Sequence, residues 1–398
     1  MLVEVAPRTD HRMRIGIVRG DLGAAGGAER YALGLIRQLV ARGDEVHVFS
    51  AQVPEELVPE VHVHRFQMPR KLVRPPRYFR QQAFEKWLHR ERQNCELDLV
   101  FTLERIWPSH VFRAGDGVHR AWLEICGREM NTSRRWIMQS QPFHRRVLQS
   151  EKQVFDPQHT QVVVCNSQMV ANEVARIYRF PAAQLRVVPN GVDENYFQPA
   201  LPELREQLRF DRGVQTGELM LLFVGSGFWR KGVDRALQIL SQWKWLGLAR
   251  PVKLFVVGKD NLESYRQMAR GLGVEELVNF VGSVAPQEVL QWYQCADLFL
   301  FPTRYDPFAN VCLESSACGV PVVTTTANGF SEHVQNGVNG WILADNATPE
   351  TWAQQLKAWC EKLAPSESVR QAVAHLTLEK HLQHLQRVID TCREESTL

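Results

Sequence analysis

The 398-residue sequence predicts an α/β protein built from two doubly wound, Rossmann-like domains facing a cleft. Three observations carry that expectation. Apolar runs of strand length alternate with segments of helical period twice over, once from Arg14 and again from Leu219. In each series the first strand empties into a glycine loop and then a helix, as at the opening of a parallel sheet. A third strand-to-helix junction falls late in the second series, in the run YDPFANVCLESSACGVPVV from Tyr305 to Val323. Ligands of such sheets bind outside the carboxyl ends of the strands, so these junctions are where chemistry is expected.

In chain order, Arg14 to Val18 is a short apolar strand leading into Gly20, Gly23, Gly26 and Gly27. Ala28 to Arg42 repeats apolar residues at helical spacing, Gly43 ends that helix, and Glu45 to Ser50 is the next strand. Leu97 to Phe101, Arg113 to Gly115 and Gln161 to Cys165 supply further strands, and Val187 to Phe197 reads as a connection with Asn190 and Gly191 as its turn. The second series runs through strands Leu219 to Val224, Val252 to Val257, Val278 to Val281 and Asp297 to Phe301. Helices from Val233 to Trp243, Glu263 to Leu272 and Pro286 to Cys295 alternate with them.

Asp306 and Pro307 form a helix-start signal, because an Asp cap accepts an orphan amide and a following Pro has no donor to lose. The helix is therefore expected to begin near Phe308 and to stop at Gly319 and Pro321, with a buried strand from Val320 to Thr325. Thr351 to Leu363 reads as a helix, Pro365 and Ser366 break it, and Glu367 to Arg393 reads as one long helix. The expected domains are 12–188, 189–365 and a closing helix, 366–398.

Composition excludes several classes. The start of the sequence has no secretion-signal pattern, and no apolar run approaches the ~20 residues of a membrane span. Eight scattered cysteines form no CxxC pair, so reduced cytosolic thiols are expected, and neither a disulfide framework nor a metal site is. The net charge of +3 conceals an asymmetry: residues 1–190 carry 28 basic against 20 acidic side chains, the remainder 19 against 24. The excess concentrates between Arg65 and Arg92, interleaved with aromatics and prolines, and again from Arg134 to Lys152. That mixture suits an anionic membrane surface, where each basic residue adds ~1 kcal/mol. No helix-turn-helix, zinc-finger or RNP-like pattern points to nucleic acid.

The first glycine loop lacks the G-x-G-x-x-G spacing, and the second strand ends in Ser50, Ala51 and Gln52 without a carboxylate for a nicotinamide ribose, so NAD is disfavoured. Gly26 and Gly27 either make a tight turn or let backbone amides approach a phosphate or a transferred sugar. In VGSGFWRKGVD, Arg230 and Lys231 follow a strand end in an otherwise acidic half, a placement that fits diphosphate charge. A clamp of side chains would spare the protein a magnesium ion. Helix amides around Phe308 would face an anion, and Glu314, about two turns in, would accept hydrogen bonds from a ribose diol.

GGAER at Gly26, VVPNGVD at Val187, FWRKGVD at Phe228, the Asp306 to Glu314 spacing and CGVPVVTT together resemble glycosyltransferase family four, retaining enzymes of GT-B fold. VGSGFWRKGVDRAL is most similar to the lipopolysaccharide core glucosyltransferases, bacterial enzymes that move glucose from UDP-glucose to inner-core heptose. The resemblance implies that Arg230 and Lys231 hold the donor diphosphate, Glu314 binds the ribose hydroxyls, and Phe308, Ala309 and Asn310 contact the sugar through their backbone. Asp116, in FRAGDGVHRAW, falls where those enzymes place an acidic active-site residue, with His119 as a second candidate. The family usually carries Glu at the position of Asp306, so this shorter carboxylate is either a sugar contact or a helix cap. The last helix is expected to return to the first domain.

The expected activity is metal-independent, cofactor-free retaining transfer of a hexose onto a lipopolysaccharide core or other lipid-linked glycan, at the inner face of the cytoplasmic membrane. The alternatives are an NDP-sugar epimerase or hydrolase, and a catalytically silent nucleotide-sugar-binding membrane adaptor.

Overall fold

The computed structural model describes residues 12–23, 27–68, 77–129, 141–247, 250–344 and 347–396. Among them the chain forms two compact units. The first takes the residues up to Cys165, Ala171–Val188 and those from Leu382; the second takes Asn166–Val170 and Pro189–His381.

The first unit holds a sheet of β1 (Arg14–Val18), β2 (Glu45–Ser50), β3 (His62–Arg65), β4 (Leu99–Thr102), β5 (Ser109–Arg113), β6 (Thr160–Cys165) and β7 (Leu185–Val187). Its order is β3-β2-β1-β4-β5-β6-β7, and every pairing is parallel. Helices α1 (Gly27–Ala41), α2 (Arg77–Glu91), α3 (His119–Glu129), α4 (Pro142–Val154) and α5 (Gln168–Tyr178) supply the crossovers. The second sheet runs β10-β9-β8-β11-β12-β13, again all parallel. Its strands are β8 (Leu219–Val224), β9 (Val252–Val257), β10 (Val278–Gly282), β11 (Leu298–Phe301), β12 (Val322–Thr325) and β13 (Gly340–Leu343). Before, between and after them lie α6 (Pro202–Asp211), α7 (Phe228–Lys231), α8 (Val233–Trp245), α9 (Leu262–Gly271), α10 (Pro286–Cys295), α11 (Asn310–Ala317), α12 (Pro349–Cys360), α13 (Ser366–Ala372) and α14 (Leu378–Ser396).

Parallel strands are covered on both faces and so read as unbroken apolar runs. LMLLFV of β8 and LFLF of β11 are buried at every position. In each sheet the strand order reverses direction beside the first strand, between β1 and β4 and between β8 and β11. Those are the switch points where crossovers diverge and leave a crevice at the carboxyl ends.

Two expectations about helices are corrected. The helix after β11 starts at Asn310 rather than near Phe308. The long helix from Glu367 is two helices, α13 and α14, with a turn at 373–375 and a single bridging residue, Thr377, between them. Val192 causes that break: its N–H donates to the Leu376 carbonyl at 2.9 Å, and its carbonyl accepts from the Leu378 amide at 2.8 Å. Gly191 makes the approach possible, since a Cβ there would lie 2.2 Å from the Thr377 carbonyl oxygen. Leu385, Val388, Ile389 and Cys392 of α14 pack into the first unit's core.

Candidate donor site and its surroundings

In the second unit, β8 delivers the chain to Gly225, Ser226 and Gly227 and then to the single turn α7. Gly232 closes that turn at φ +83°, and a Cβ there would sit 2.0 Å from the Pro302 carbonyl oxygen. Only glycine lets the turn press against the end of β11. Three hydrogen bonds fix it there: Thr303 Oγ1 to the Arg230 carbonyl at 2.9 Å, the Arg304 amide to the same carbonyl at 2.9 Å, and Arg304 Nη1 to the Trp229 carbonyl at 2.6 Å. Arg304 is itself buried and paired in bidentate fashion with Asp234, both bonds at 2.7 Å. A fork-to-fork pair sets both ends in one plane and leaves little freedom for either.

This scaffold brings Arg230 and Lys231 to the switch point. The Lys231 ammonium is hydrogen-bonded to Asp306 Oδ2 and lies over the Phe301 ring, 5.1 Å from its centroid. Burial lowers the lysine's pKa, the Asp306 carboxylate opposes the shift, and Arg230 adds to it. Arg230 Nη1 lies 4.0 Å from the same Oδ2 and 3.3 Å from the Tyr305 carbonyl it donates to. Two cations therefore flank one buried carboxylate.

Asp306 is not a helix cap. Its Oδ1 accepts the Phe308 amide at 3.2 Å, a local turn two residues long, while Oδ2 faces Lys231. Its backbone is laced to the segment after β12, accepting from Gly329 N at 2.9 Å and donating to the Ala327 carbonyl at 2.9 Å. That pairing keeps 306–309 out of the helix, which starts at Asn310, four residues after Asp306. Asn328, fully buried, receives the Ala309 amide at 3.2 Å and the Phe330 amide at 3.1 Å on one oxygen. Phe308 and Ala309 are buried, and Asn310 opens α11 with Oδ1 accepting from Asn190 at 2.7 Å.

Glu314 lies on α11, mostly buried, with Oε2 accepting from the Tyr293 hydroxyl at 3.0 Å. Cys312 ties the constellation together. Burial raises its thiol well above the usual range, Asp306 and Glu314 push it further, and Asn328 and Lys231 oppose them. Lys231, Asp306 and Glu314 thus act electrostatically on one buried sulfur.

The first-unit candidates have a different character. Asp116 is 71% exposed at its side chain, 3.6 Å from Arg105 Nη1. His119 opens α3 and sits 2.9 Å from His144 Nδ1 through its Nε2. Its pKa is pushed down to about 4 by burial, by Arg105 and by His144, so it is neutral at pH 7. The pattern in sequence does not single out Glu151, yet this fully buried carboxylate accepts from the amides of His119 and Arg120 at the start of α3 and from the Tyr178 hydroxyl at 2.8 Å. Gly27 opens α1; Gly26 lies outside the described residues. At the β1–β4 switch point is a cavity of about 470 Å³ lined by Arg19, Asp21, Gln52, Arg80, Gln81 and Glu104 among others. Arg19 bonds Glu29 at 2.6 Å and meets Glu104 at 3.3 Å, so charges of both signs face the space.

The depressed histidines set a pH dependence. His333, in the second unit, is also pushed down to about 4, by burial and His375. A histidine whose folded pKa lies below its unfolded value binds fewer protons when folded, so stability falls as pH drops from about 6.5 toward 4. Urea midpoints measured across that range are expected to decline, with a shallower decline in His119→Asn. An unchanged slope in the variant would remove His119 from the account.

Of the two basic and aromatic stretches, only parts are described. Phe66, Phe84 and Trp87 pack on one another with centroids 5.3 to 5.5 Å apart; Phe84 is buried, Phe66 and Trp87 are half-buried against it, and Phe66 and Phe84 also line the cavity by Arg19. Phe79, Arg80, Lys86 and Arg90 are exposed on α2. Pro69, Pro75, Pro76, Arg134 and Trp136 lie outside the described residues.

Two parallel sheets of this order, with a cation pair at the second switch point, define a GT-B protein. The family model of glycosyl transferases group 1 matches residues 205–375, and that of Glycosyltransferase Family 4 matches residues 25–196. Together these spans cover most of the chain, which belongs to glycosyltransferase family 4. It is 27% identical over 373 residues to a D-inositol 3-phosphate glycosyltransferase of Arthrobacter sp. (strain FB24), covering 88% of this chain and 86% of that one. It is 28% identical over 199 residues to the lipopolysaccharide glucosyltransferase WaaG of Escherichia coli (strain K12), 50% of this chain and 52% of that one. The chain spans about half the length of the first curated relatives it matches. Its fold matches a crystal structure of WaaG, a glycosyltransferase involved in lipopolysaccharide biosynthesis, at TM-score 0.76 and 20% identity, over 93% of this chain and 98% of that one.

Proposed function

We propose that this chain is a retaining hexosyltransferase that takes a sugar from a nucleoside diphosphate donor, UDP-glucose first, and adds it to a lipopolysaccharide core or other lipid-linked glycan. The observation that carries the reading is the gathering of Arg230, Lys231, Asp306 and Glu314 at the second switch point. The likeness to WaaG supports the choice of sugar and acceptor.

Breaking the bond from the anomeric carbon to the diphosphate builds negative charge on the leaving oxygen. Arg230 and Lys231 meet that charge as preorganised partners, an effect of several kcal/mol. These two side chains supply the charge that a magnesium ion would otherwise provide. An incoming diphosphate takes Lys231 from Asp306, and the freed carboxylate turns to a sugar hydroxyl. Glu314, steadied by Tyr293, takes the ribose diol. With retention, the acceptor hydroxyl attacks from the leaving-group face and the departing phosphate receives its proton. Asp116, exposed beside Arg105, positions sugar or acceptor. His119, neutral and tied to His144, belongs to the scaffold.

The cavity by Arg19 and Glu104 is assigned to the acceptor. Among the described residues no helix is long and apolar enough to cross a membrane. Arg80, Lys86 and Arg90 are assigned to an anionic membrane surface at the inner leaflet, each adding ~1 kcal/mol.

The test is the anomeric configuration of the product, followed by proton NMR with EDTA present. An α-linked product from an α-linked donor, at a rate indifferent to EDTA, is expected. A β-linked product, or loss of transfer in EDTA, would contradict the reading.

A further inference from the structure

The outer edge of the first sheet carries a cluster that the transfer reaction does not use. In the parallel register of β2 and β3, His47 lies opposite His62 and Phe49 opposite His64. Side chains two apart on a strand share a face, so all three histidines project on one side. His47 stacks on His62 with centroids 4.7 Å apart, and His64 stacks on Phe49 at 4.4 Å.

Two carboxylates fix the tautomers. Glu45 Oε1 is 3.0 Å from His47 Nε2, and Glu91 Oε1, at the end of α2, is 3.1 Å from His64 Nδ1. A carboxylate only accepts, so each contact places the ring N–H at that nitrogen and a lone pair at the other. The other nitrogens are His47 Nδ1 and His64 Nε2, and they lie 3.0 Å apart. Two lone pairs at that distance repel unless something positive lies between them. Cys95 Sγ approaches the same Nε2 at 3.8 Å, and Cys95 is the one cysteine of eight that is not buried.

We propose that His47 Nδ1, His64 Nε2 and Cys95 Sγ form a site for a zinc-class divalent cation, with water in the fourth position. The three ligand atoms all lie within 4.8 Å of one another. Zinc at about 2.0–2.1 Å from nitrogen and about 2.3 Å from sulfur, in tetrahedral geometry, separates two nitrogens by roughly 3.3 Å and nitrogen from sulfur by roughly 3.5 Å. The observed spacings straddle those values. Two imidazoles and a thiolate select zinc or cobalt over calcium and magnesium, which take oxygen. Glu45 and Glu91 provide the outer carboxylates that orient metal-bound imidazoles and raise their basicity. Binding releases the Cys95 thiol proton to solvent. The bound ion clips β2, β3 and the segment after α2 to one another, which stabilises this edge of the first unit. The expectation from sequence of no metal site rests on the lack of CxxC spacing, and this cluster forms through the sheet instead.

A competing geometry shares His47: Glu45, His47 and His62 also bring their ligand atoms within 4.8 Å of one another. It would take Glu45 itself as a ligand, and so give up the Glu45 contact to His47 Nε2 that fixes the tautomer. Its key residue, His62, is 61% exposed.

The test uses the full chain, stripped with chelator and titrated with Zn²⁺ by equilibrium dialysis, then with Co²⁺ to read the thiolate-to-cobalt charge-transfer band. Circular dichroism checks that each metal-free variant is folded. One ion per chain is expected, with protection of one thiol from a thiol reagent by Zn²⁺ but not by Mg²⁺. Cys95→Ser should lose the cobalt band and weaken binding by more than ~100-fold. Glu91→Ala should weaken it by about 10- to 100-fold, and His62→Asn should leave it unchanged. Absence of binding by the folded wild type would overturn the proposal. So would unaltered binding in Cys95→Ser, or binding abolished by His62→Asn alone.

Discussion

Lys231→Ala is expected to lower the turnover of nucleotide sugar in the presence of acceptor by about 10²- to 10³-fold, the range found when one preorganised stabiliser of developing negative charge is removed. The variant also leaves the Asp306 carboxylate, which is 5% exposed, with Arg230 at 4.0 Å as its remaining cation and without its hydrogen-bonded ammonium. A loss of roughly 3 kcal/mol in stability is therefore expected alongside the loss of rate. The double variant Lys231→Ala with Asp306→Ala isolates the stability effect, although it also removes the carboxylate assigned to a sugar hydroxyl. It removes the under-compensated charge, so urea unfolding should return most of the stability, while the initial rate of nucleoside diphosphate release stays low. Recovery of rate along with stability would mean that Lys231 serves the fold and not the diphosphate.

Arg304→Met is expected to have the largest effect on stability. Its guanidinium holds both oxygens of Asp234 and the Trp229 carbonyl, and it stacks 4.6 Å over the Trp229 ring. Breaking a buried pair from one side leaves an uncompensated charge and costs about 3–5 kcal/mol. The urea midpoint of the second unit should fall accordingly. Arg304→Met combined with Asp234→Leu should regain most of that, because an apolar pair of similar volume replaces a satisfied ionic one. Turnover should remain depressed in both, since Arg304 also holds α7, the turn that presents Arg230 and Lys231. Equal destabilisation in the single and double variants would show that the packing around Trp229, rather than the charge pair, sustains this region.

The parallel sheets were legible wherever strands are buried on both faces. β8 and β11 are continuous apolar runs, β9 is interrupted only by Lys253, and the glycines that follow β8 and β9 announce their junctions. Local signals failed where a distant segment took over the backbone. Asp306 followed by Pro307 has every local mark of a helix start, but Ala327 and Gly329 claim the Asp306 main chain and Lys231 claims its side chain. The final helix was broken by Val192, some 180 residues earlier, through backbone bonds that leave no side-chain pattern. Arg304 carried a faint signal, being a charge three residues past an apolar strand; its partner Asp234 sits in the quoted FWRKGVD run. Glu151 carried none, because a single buried acid in a polar helix resembles any exposed one. The alternation His62-Val63-His64 beside His47 was visible as a period of two, but its meaning needed Cys95, which only folding brings near.

Asp306 in place of the longer Glu is the feature that would suit a protein that grips nucleotide sugar without transferring it. Sugar transfer is tested most directly by incubating the purified chain with a panel of UDP- and GDP-sugars and measuring nucleoside diphosphate release, with and without heptose-terminated lipopolysaccharide core. Release from one donor, accelerated by the acceptor, is the predicted result. Donor binding without release under any acceptor would contradict transfer and leave a nucleotide-sugar-binding protein in its place.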